Sequence, residues 1–186
     1  MTITFEAFPK IPRLKSMVTI TEKIDGTNAA VIITEDGQIA AQSRTRLITP
    51  GKDTDNFGFA GWVEANKDEL LKLGPGRHFG EWWGLGIQCG YGMTKRVFSL
   101  FNVHRWSAQN PPPVCCSVVP VLYQGDDLTK GIGWAEGLLR DGSIAARAEN
   151  IQFDKPEGLV VYNHNSRSLS KVIFAGDLPK SLMAKG

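Results

Sequence analysis

The chain has little cysteine. Cys89, Cys115 and Cys116 are the three cysteines among 186 residues. Their spacing gives neither a disulfide framework nor a metal-ligand set, so reduced thiols are expected. A long apolar run is also missing, and nothing approaches the roughly 20 residues that span a bilayer. Met1 to Lys15 alternates apolar positions with Lys10, Arg13 and Lys15. It lacks the continuous apolar stretch of a signal peptide. A cytoplasmic protein without a membrane partner is therefore expected. Strong net charge is absent too: 21 basic against 19 acidic side chains leave +2. That argues against a globally basic nucleic-acid binder, and any phosphate-binding surface must be local. His78, His104 and His164 show no metal spacing and are expected to be structural or surface residues.

What is present suits one globular domain. The hydrophobic fraction is 42%, and the length is enough for a substantial core. Residues 1–186 are expected to form a single minimal domain, with too little chain after Phe174 for a second one. Val18 to Lys23 alternates as a strand, with Val18, Ile20 and Glu22 on one face and Thr19, Thr21 and Lys23 on the other. Asp25-Gly26 signals a turn, and Asn28 to Ile33 resumes as a strand. Asp36-Gly37 turns again before Gln38 to Ser43. These three strands are expected to form an antiparallel meander. Residues 57–73 have helical spacing, ended by Gly74-Pro75-Gly76. Arg77 to Trp83, Val97 to Val103 and Val118 to Tyr123 read as strands. Leu128 to Leu139 reads as a helix capped by Asp126 or Asp127. Glu157 to Tyr162 and Leu169 to Phe174 close the chain as strands. The pattern is α+β, with mostly antiparallel sheets and flanking helices.

The densest chemical signal is Glu22-Lys23-Ile24-Asp25-Gly26-Thr27-Asn28. A lysine at a strand end beside a tight turn holds its amine in one place. Such an amine attacks a phosphorus centre only when deprotonated. Taken alone, Lys-x-Asp-Gly is equally a surface lysine beside an ordinary turn. Further pieces follow in order: Ser43-Arg44-Thr45-Arg46, then Phe79-Gly80-Glu81-Trp82-Trp83-Gly84, then Phe98-Ser99-Leu100-Phe101-Asn102-Val103. Pro156-Glu157-Gly158-Leu159-Val160-Val161 and Ser170-Lys171-Val172 complete the set.

With these pieces the sequence resembles the covalent nucleotidyltransferase superfamily of DNA ligases, RNA ligases and capping enzymes. The likeness is greatest to ATP-dependent RNA ligases, and among them to the second class of bacteriophages and kinetoplastid editing. That resemblance implies the nucleotidyltransferase (adenylation) fold of the ligases. It implies ATP as substrate, Mg2+ or Mn2+ as helper, and RNA ends or nicks as partner, with DNA as the alternative. Lys23 would form the lysyl–AMP bond. Asp25, Gly26 and Thr27 would shape its loop, and Asn28 would contact the nucleotide or the nucleic-acid end. Arg44, chosen over Arg46, would hold ribose or phosphate. Glu81 would accept from a ribose hydroxyl. Phe101, rather than Phe98, would stack on adenine, and Glu22 would read the adenine edge. Glu157 would sit near the metal or its waters, and Lys171 would grip the α-phosphate.

The resemblance has two gaps. The last motif of the superfamily has two lysines separated by one residue, and Leu169-Ser170-Lys171 keeps only the second. Arg167 is the nearby basic residue that could compensate. The accessory C-terminal domain of many relatives is also not expected here. Arg44, Arg46 and Lys52, and separately Lys95, Arg96 and Arg105, are candidate local phosphate contacts. The glycine-rich stretch Gly84 to Gly92 lacks the Gly-Lys-Ser/Thr ending of a phosphate loop, so it is expected to be a flexible loop near the site. A monomeric enzyme is expected. The open alternatives are a DNA ligase or capping-type enzyme, and an end-binding module without efficient sealing.

Overall fold

The computed structural model describes residues 16–174, together with Ala7 and Lys10. Apart from those two positions, Met1 to Lys15 and the tail after Phe174 lie outside the described residues. The alternating patterns yield β1 (Val18–Lys23), β2 (Thr27–Ile33) and β3 (Ile39–Ser43). Their pairing is not the expected meander. The smaller sheet combines β1 with β8 (Val121–Gly125), β9 (Gly158–Asn163) and β10 (Ser168–Ile173), in the order β10-β9-β1-β8. The larger combines β2 and β3 with β4 (Leu47–Ile48), β5 (Gly76–Gly84), β6 (Arg96–Leu100) and β7 (Cys116–Val118), in the order β4-β3-β2-β5-β6-β7. Asp25-Gly26 is thus a corner where the chain changes sheets. Turn residues announce a change of direction but not the next strand's partner. Glycine is needed at this corner: a Cβ on Gly26 would stand 2.6 Å from the Trp82 carbonyl oxygen.

A second change of sheet splits the strand expected over Val118 to Tyr123. β7 ends in the larger sheet and β8 begins in the smaller one. Pro120 lies between them. It has no N–H to continue a ladder, and its carbonyl accepts from the Glu22 N–H at 3.0 Å. Strand pairs are antiparallel except β6 with β7. The architecture is α+β and mostly antiparallel, as the sequence pattern predicts.

The helix expected over 57–73 forms in pieces: α1 (Phe59–Ala65), α2 (Lys67–Leu70) and a 3-10 turn (Leu71–Leu73). Asn66 interrupts it. Its side-chain amide donates to the Trp62 carbonyl at 2.8 Å, and its own N–H reaches the same oxygen. Asparagine competes with the helix in this way. α3 (Leu128–Leu139) is capped by Asp127, which accepts from the Lys130 N–H at 3.0 Å. The short α4 (Ile144–Ala148) follows the Ser143 cap. Its five residues are too few for a periodic signal.

Three apolar clusters hold these layers. Val31, Phe59, Trp82 and Phe98 pack α1 on the outer face of the larger sheet. Val18, Ile20, Leu122 and Ala135 pack α3 on the outer face of the smaller one. Ile24, Trp83, Tyr91 and Ala146 join the sheets beside the Asp25-Gly26 corner. The rest of the two inner faces is left apart.

Candidate active site

Between the inner faces lies a cavity of about 610 Å³. The smaller sheet contributes one face in register. Lys23 is opposite Gly158, Thr21 opposite Val160 and Thr19 opposite Tyr162. On the next strand Lys171 is opposite Val160, and Leu169 opposite Tyr162. Opposed residues share a face, so Lys171 stands on the same face as Lys23, two strands away. The larger sheet contributes Asn28 and Glu81, which are partners across β2 and β5. Phe101, just after β6, completes the wall.

Lys23 ends β1 where the chain turns toward the other sheet. Its Nζ donates to Glu157 Oε1 at 2.5 Å, and both side chains are about one-quarter exposed, at 25% and 26%. The other Glu157 oxygen is buried and has no hydrogen-bond partner among the described residues. Glu81 is buried and accepts from Asn28 Nδ2 at 2.9 Å. Burial pushes its carboxyl up to about 7, against the pull of the Asn28 hydrogen bond and the charge of Lys23. Among the described residues, no three His, Cys, Asp or Glu side chains cluster as a protein-only metal cage. The unpartnered Glu157 oxygen fits a hard divalent cation of the kind held mainly by substrate phosphates and water, with one or two carboxylates.

The two phenylalanines separate clearly. Phe98 is fully buried, with its ring 5.0 Å from Phe59. Phe101 is 41% exposed and lines the cavity. Of these two, Phe101 is the one that offers a face to a ligand.

Other candidates are placed differently. Glu22 is 1% exposed and is among the cavity-lining residues, but its carboxylate is engaged by the protein. It accepts from Ser143 Oγ at 2.5 Å and from the Ala145 N–H at 2.8 Å. Burial raises its pKa, partly offset by those donors. The side chain expected to read the adenine edge thus has both oxygens engaged at the start of α4. The Asp25 carboxylate also serves the protein, accepting from the Cys89 N–H at 3.3 Å. Thr27 Oγ1 accepts from Asn56 Nδ2 at 3.1 Å. Arg44 is exposed between β3 and β4 and is not among the cavity-lining residues. Arg46 donates to the Thr54 carbonyl at 3.0 Å. Arg167 lies in the β9–β10 turn, at the opposite end of β9 from Lys23. Five residues of strand, roughly 17 Å, separate those ends, so Arg167 does not stand in for the missing lysine. Leu169, at the place of that lysine, lines the cavity instead.

The sequence reading missed several wall residues. Thr21 and Thr19 share the inner face of β1 with Lys23, and that alternation was visible. His104 lines the cavity too, and His164, outside the lining, has its Nε2 2.8 Å from Thr19 Oγ1. His104 meets the His164 ring edge-on at 5.0 Å. Contacts between residues so far apart in the chain leave no local signal.

Comparison with known proteins bears on the family and the fold. The family model for RNA ligase matches residues 16–174. The sequence matches no curated protein. Solved structures of Naegleria gruberi RNA ligase share the fold. A mutant bound to ATP and manganese aligns with a TM-score of 0.61 at 19% identity, over 87% of this chain and 50% of that one. Another mutant with ATP and manganese gives 0.58 at 20% identity, over 86% and 50%. The pyrophosphate-bound form gives 0.59 at 20%, over 86% and 50%. The chain therefore spans about half the length of the solved ligases it matches. The family match runs from the strand that carries Lys23 through the strand that carries Lys171, and on that ground this chain belongs to the RNA ligase family.

Proposed function

We propose that this chain is an ATP-dependent RNA ligase, of the second class, that works through a covalent lysyl–AMP. The observation that carries the reading is the Lys23 amine, fixed at a strand end on the rim of a cavity walled by Glu81, Asn28, Phe101 and Val160. Phe101, just after β6, and Val160, in β9, line the same cavity, and a purine would stack between them. Stacking of this kind contributes about 1–3 kcal/mol. Glu81 accepts from a ribose hydroxyl. That leaves the α-phosphate toward Lys23, with Lys171 on the same face to neutralise charge developed in transfer.

In the first step the deprotonated Lys23 nitrogen attacks the α-phosphorus. An N–P bond forms, the bond to the bridging oxygen breaks, and pyrophosphate leaves. The resting Lys23–Glu157 ion pair must open first, because a carboxylate-bound ammonium has no free electron pair. AMP then passes to a 5′-phosphate end, regenerating the amine. A 3′-hydroxyl attacks that activated end, sealing the strand and releasing AMP. Glu157 would help to hold Mg2+ or Mn2+, which would supply charge neutralisation. The setting we infer is RNA repair by a cytoplasmic monomer of phage or bacterial type.

The experiment is covalent labelling with radiolabelled ATP. Wild type gains one AMP on the peptide containing Lys23, and Lys23→Ala gains none. Labelling of Lys23→Ala at the wild-type level sinks the reading. Parallel GTP labelling separates a capping-type enzyme, and nicked RNA against nicked DNA separates the two ligases. A second reading, adenylylation without efficient sealing, is favoured by one observation: Leu169 stands where the superfamily carries a lysine. Labelling combined with no sealing of pre-adenylylated ends would support it.

A further inference from the structure

The glycine-rich stretch after β5 is not the open loop its composition suggests. Ile87 and Tyr91 within it are fully buried. Gly84, Gly86, Gly90 and Gly92 all have positive φ, as do Gln88 and Tyr91. The glycines allow the chain to fold back tightly, which carries the Tyr91 side chain inward. Its ring lies edge-on to Trp83 at 4.9 Å and against Phe153 at 4.5 Å. Its hydroxyl accepts from the Asp25 N–H at 2.7 Å. The same stretch supplies the Cys89 N–H to the Asp25 carboxylate. On the other side of the corner, Gly26 is pressed against the Trp82 carbonyl and the Trp83 side chain. The turn two residues beyond Lys23 is therefore held from both sides.

Phe153 extends this hold. Its carbonyl accepts from the Ser143 N–H at 2.8 Å, which anchors the segment leading to Glu157. Tyr91 thus touches the turn that follows Lys23 and the segment that precedes its ion-pair partner.

We propose that Tyr91 is a positioning residue for adenylyl transfer to Lys23, its hydroxyl fixing the Asp25 amide and its ring fixing Phe153, so that Lys23 and Glu157 meet in a set geometry. This rests on the reading of Lys23 as the nucleophile. Burial pushes the Tyr91 phenol well above its ordinary value, so the hydroxyl stays neutral. It contributes no charge to the site and acts through geometry alone.

The test is Tyr91→Phe in the full chain, which keeps the ring and removes the acceptor. Single-turnover labelling is followed against ATP concentration with Mg2+, below the melting temperature of the variant. The limiting rate should fall roughly ten- to hundredfold, the range expected when a reacting group is displaced by up to an ångström. The ATP concentration giving half that rate should stay within about twofold, because Tyr91 does not line the nucleotide walls. A merely structural role would lower the melting temperature and the yield of folded chain while leaving the limiting rate of that folded chain at wild type. That result overturns the proposal, as does a change confined to half-saturation. Hydrogen exchange on the wild-type chain gives an arm that does not depend on a variant folding. The Asp25 amide should be strongly protected, and free exchange there also overturns the proposal. Lys23→Ala is run alongside. If it labels, the nucleophile reading fails. If it is blank while Tyr91→Phe labels at the wild-type limiting rate, that reading stands and the role of Tyr91 falls.

Discussion

Glu22 and Glu81 sit on the two sheets that flank the cavity, and the regions around them are opposites. Both carboxylates are buried, and burial raises both pKa values. Around Glu22 the protein supplies a hydroxyl, a backbone N–H and the start of α4. Around Glu81 it supplies one amide, from Asn28, and leaves the rest of the carboxylate to the cavity. Phe98 and Phe101 repeat the contrast: one ring is enclosed by aromatic neighbours, the other is open. A buried polar group that the fold has satisfied holds structure together. One that the fold leaves short of partners is free to take a ligand.

The contrast can be broken most severely at the aromatic pair. Phe98→Ala should cost about 3–5 kcal/mol of stability in denaturant unfolding, through lost burial and a cavity. Phe101→Ala should leave stability within about 1 kcal/mol and weaken ATP binding by about 1–3 kcal/mol. Equal losses in both readouts would erase the distinction. Glu22→Ala comes next. It orphans the Ser143 hydroxyl and the Ala145 N–H, at about 2–4 kcal/mol of stability, while calorimetry on the folded chain should show ATP affinity changed less than about threefold. A large loss of ATP affinity with intact stability would return Glu22 to the nucleotide.

The finest test is Glu81→Gln across pH. The folded-state pKa of Glu81, about 7, lies above its ordinary 4.5. The folded chain therefore binds that proton more tightly than the unfolded chain. Glu81's contribution to stability is fully present below about pH 4.5 and is lost as pH rises through 7. Relative to Glu81→Gln, wild type should lose up to about 3 kcal/mol between pH 4.5 and 8, with no further change above. ATP runs the other way. A ribose hydroxyl donating to the charged carboxylate should make wild-type binding strengthen as pH rises through 7. A flat stability difference between the two proteins would show that Glu81 is not the buried, under-partnered group described.

The sequence was most informative where chemistry is local. The alternation of β1 places Thr19, Thr21 and Lys23 on one face, and the structure keeps them there. α3 and its Asp127 cap are set by a helical run and a capping carboxylate within a few residues of each other. Failures came where a partner lies far along the chain. Asp25-Gly26 reads as a turn within one meander, and Val118 to Tyr123 as one strand, yet at both the chain crosses to the other sheet. Glu22 alternates correctly with Lys23, but its partners at Ser143 and Ala145 lie in a helix too short to announce itself. The stretch from Gly84 to Gly92 reads as loose because glycine is permissive. Its order comes from Tyr91, whose contacts at Asp25 and Phe153 lie far off in sequence.

By itself, the sequence determined that a lysine ends a strand beside an Asp-Gly turn, and that an arginine, a carboxylate, an aromatic pair, a second carboxylate and a second lysine follow in fixed order. Those are properties of residue identity and spacing. Only the tertiary structure decided which of them share a cavity. It brought Lys23, Glu81 and Phe101 to one cavity, paired Glu157 with Lys23, engaged the Glu22 carboxylate at the start of α4, and left Arg44 outside. The physical reason is that strand pairing and side-chain satisfaction are settled between distant segments. A carboxylate's role depends on which donors reach it first.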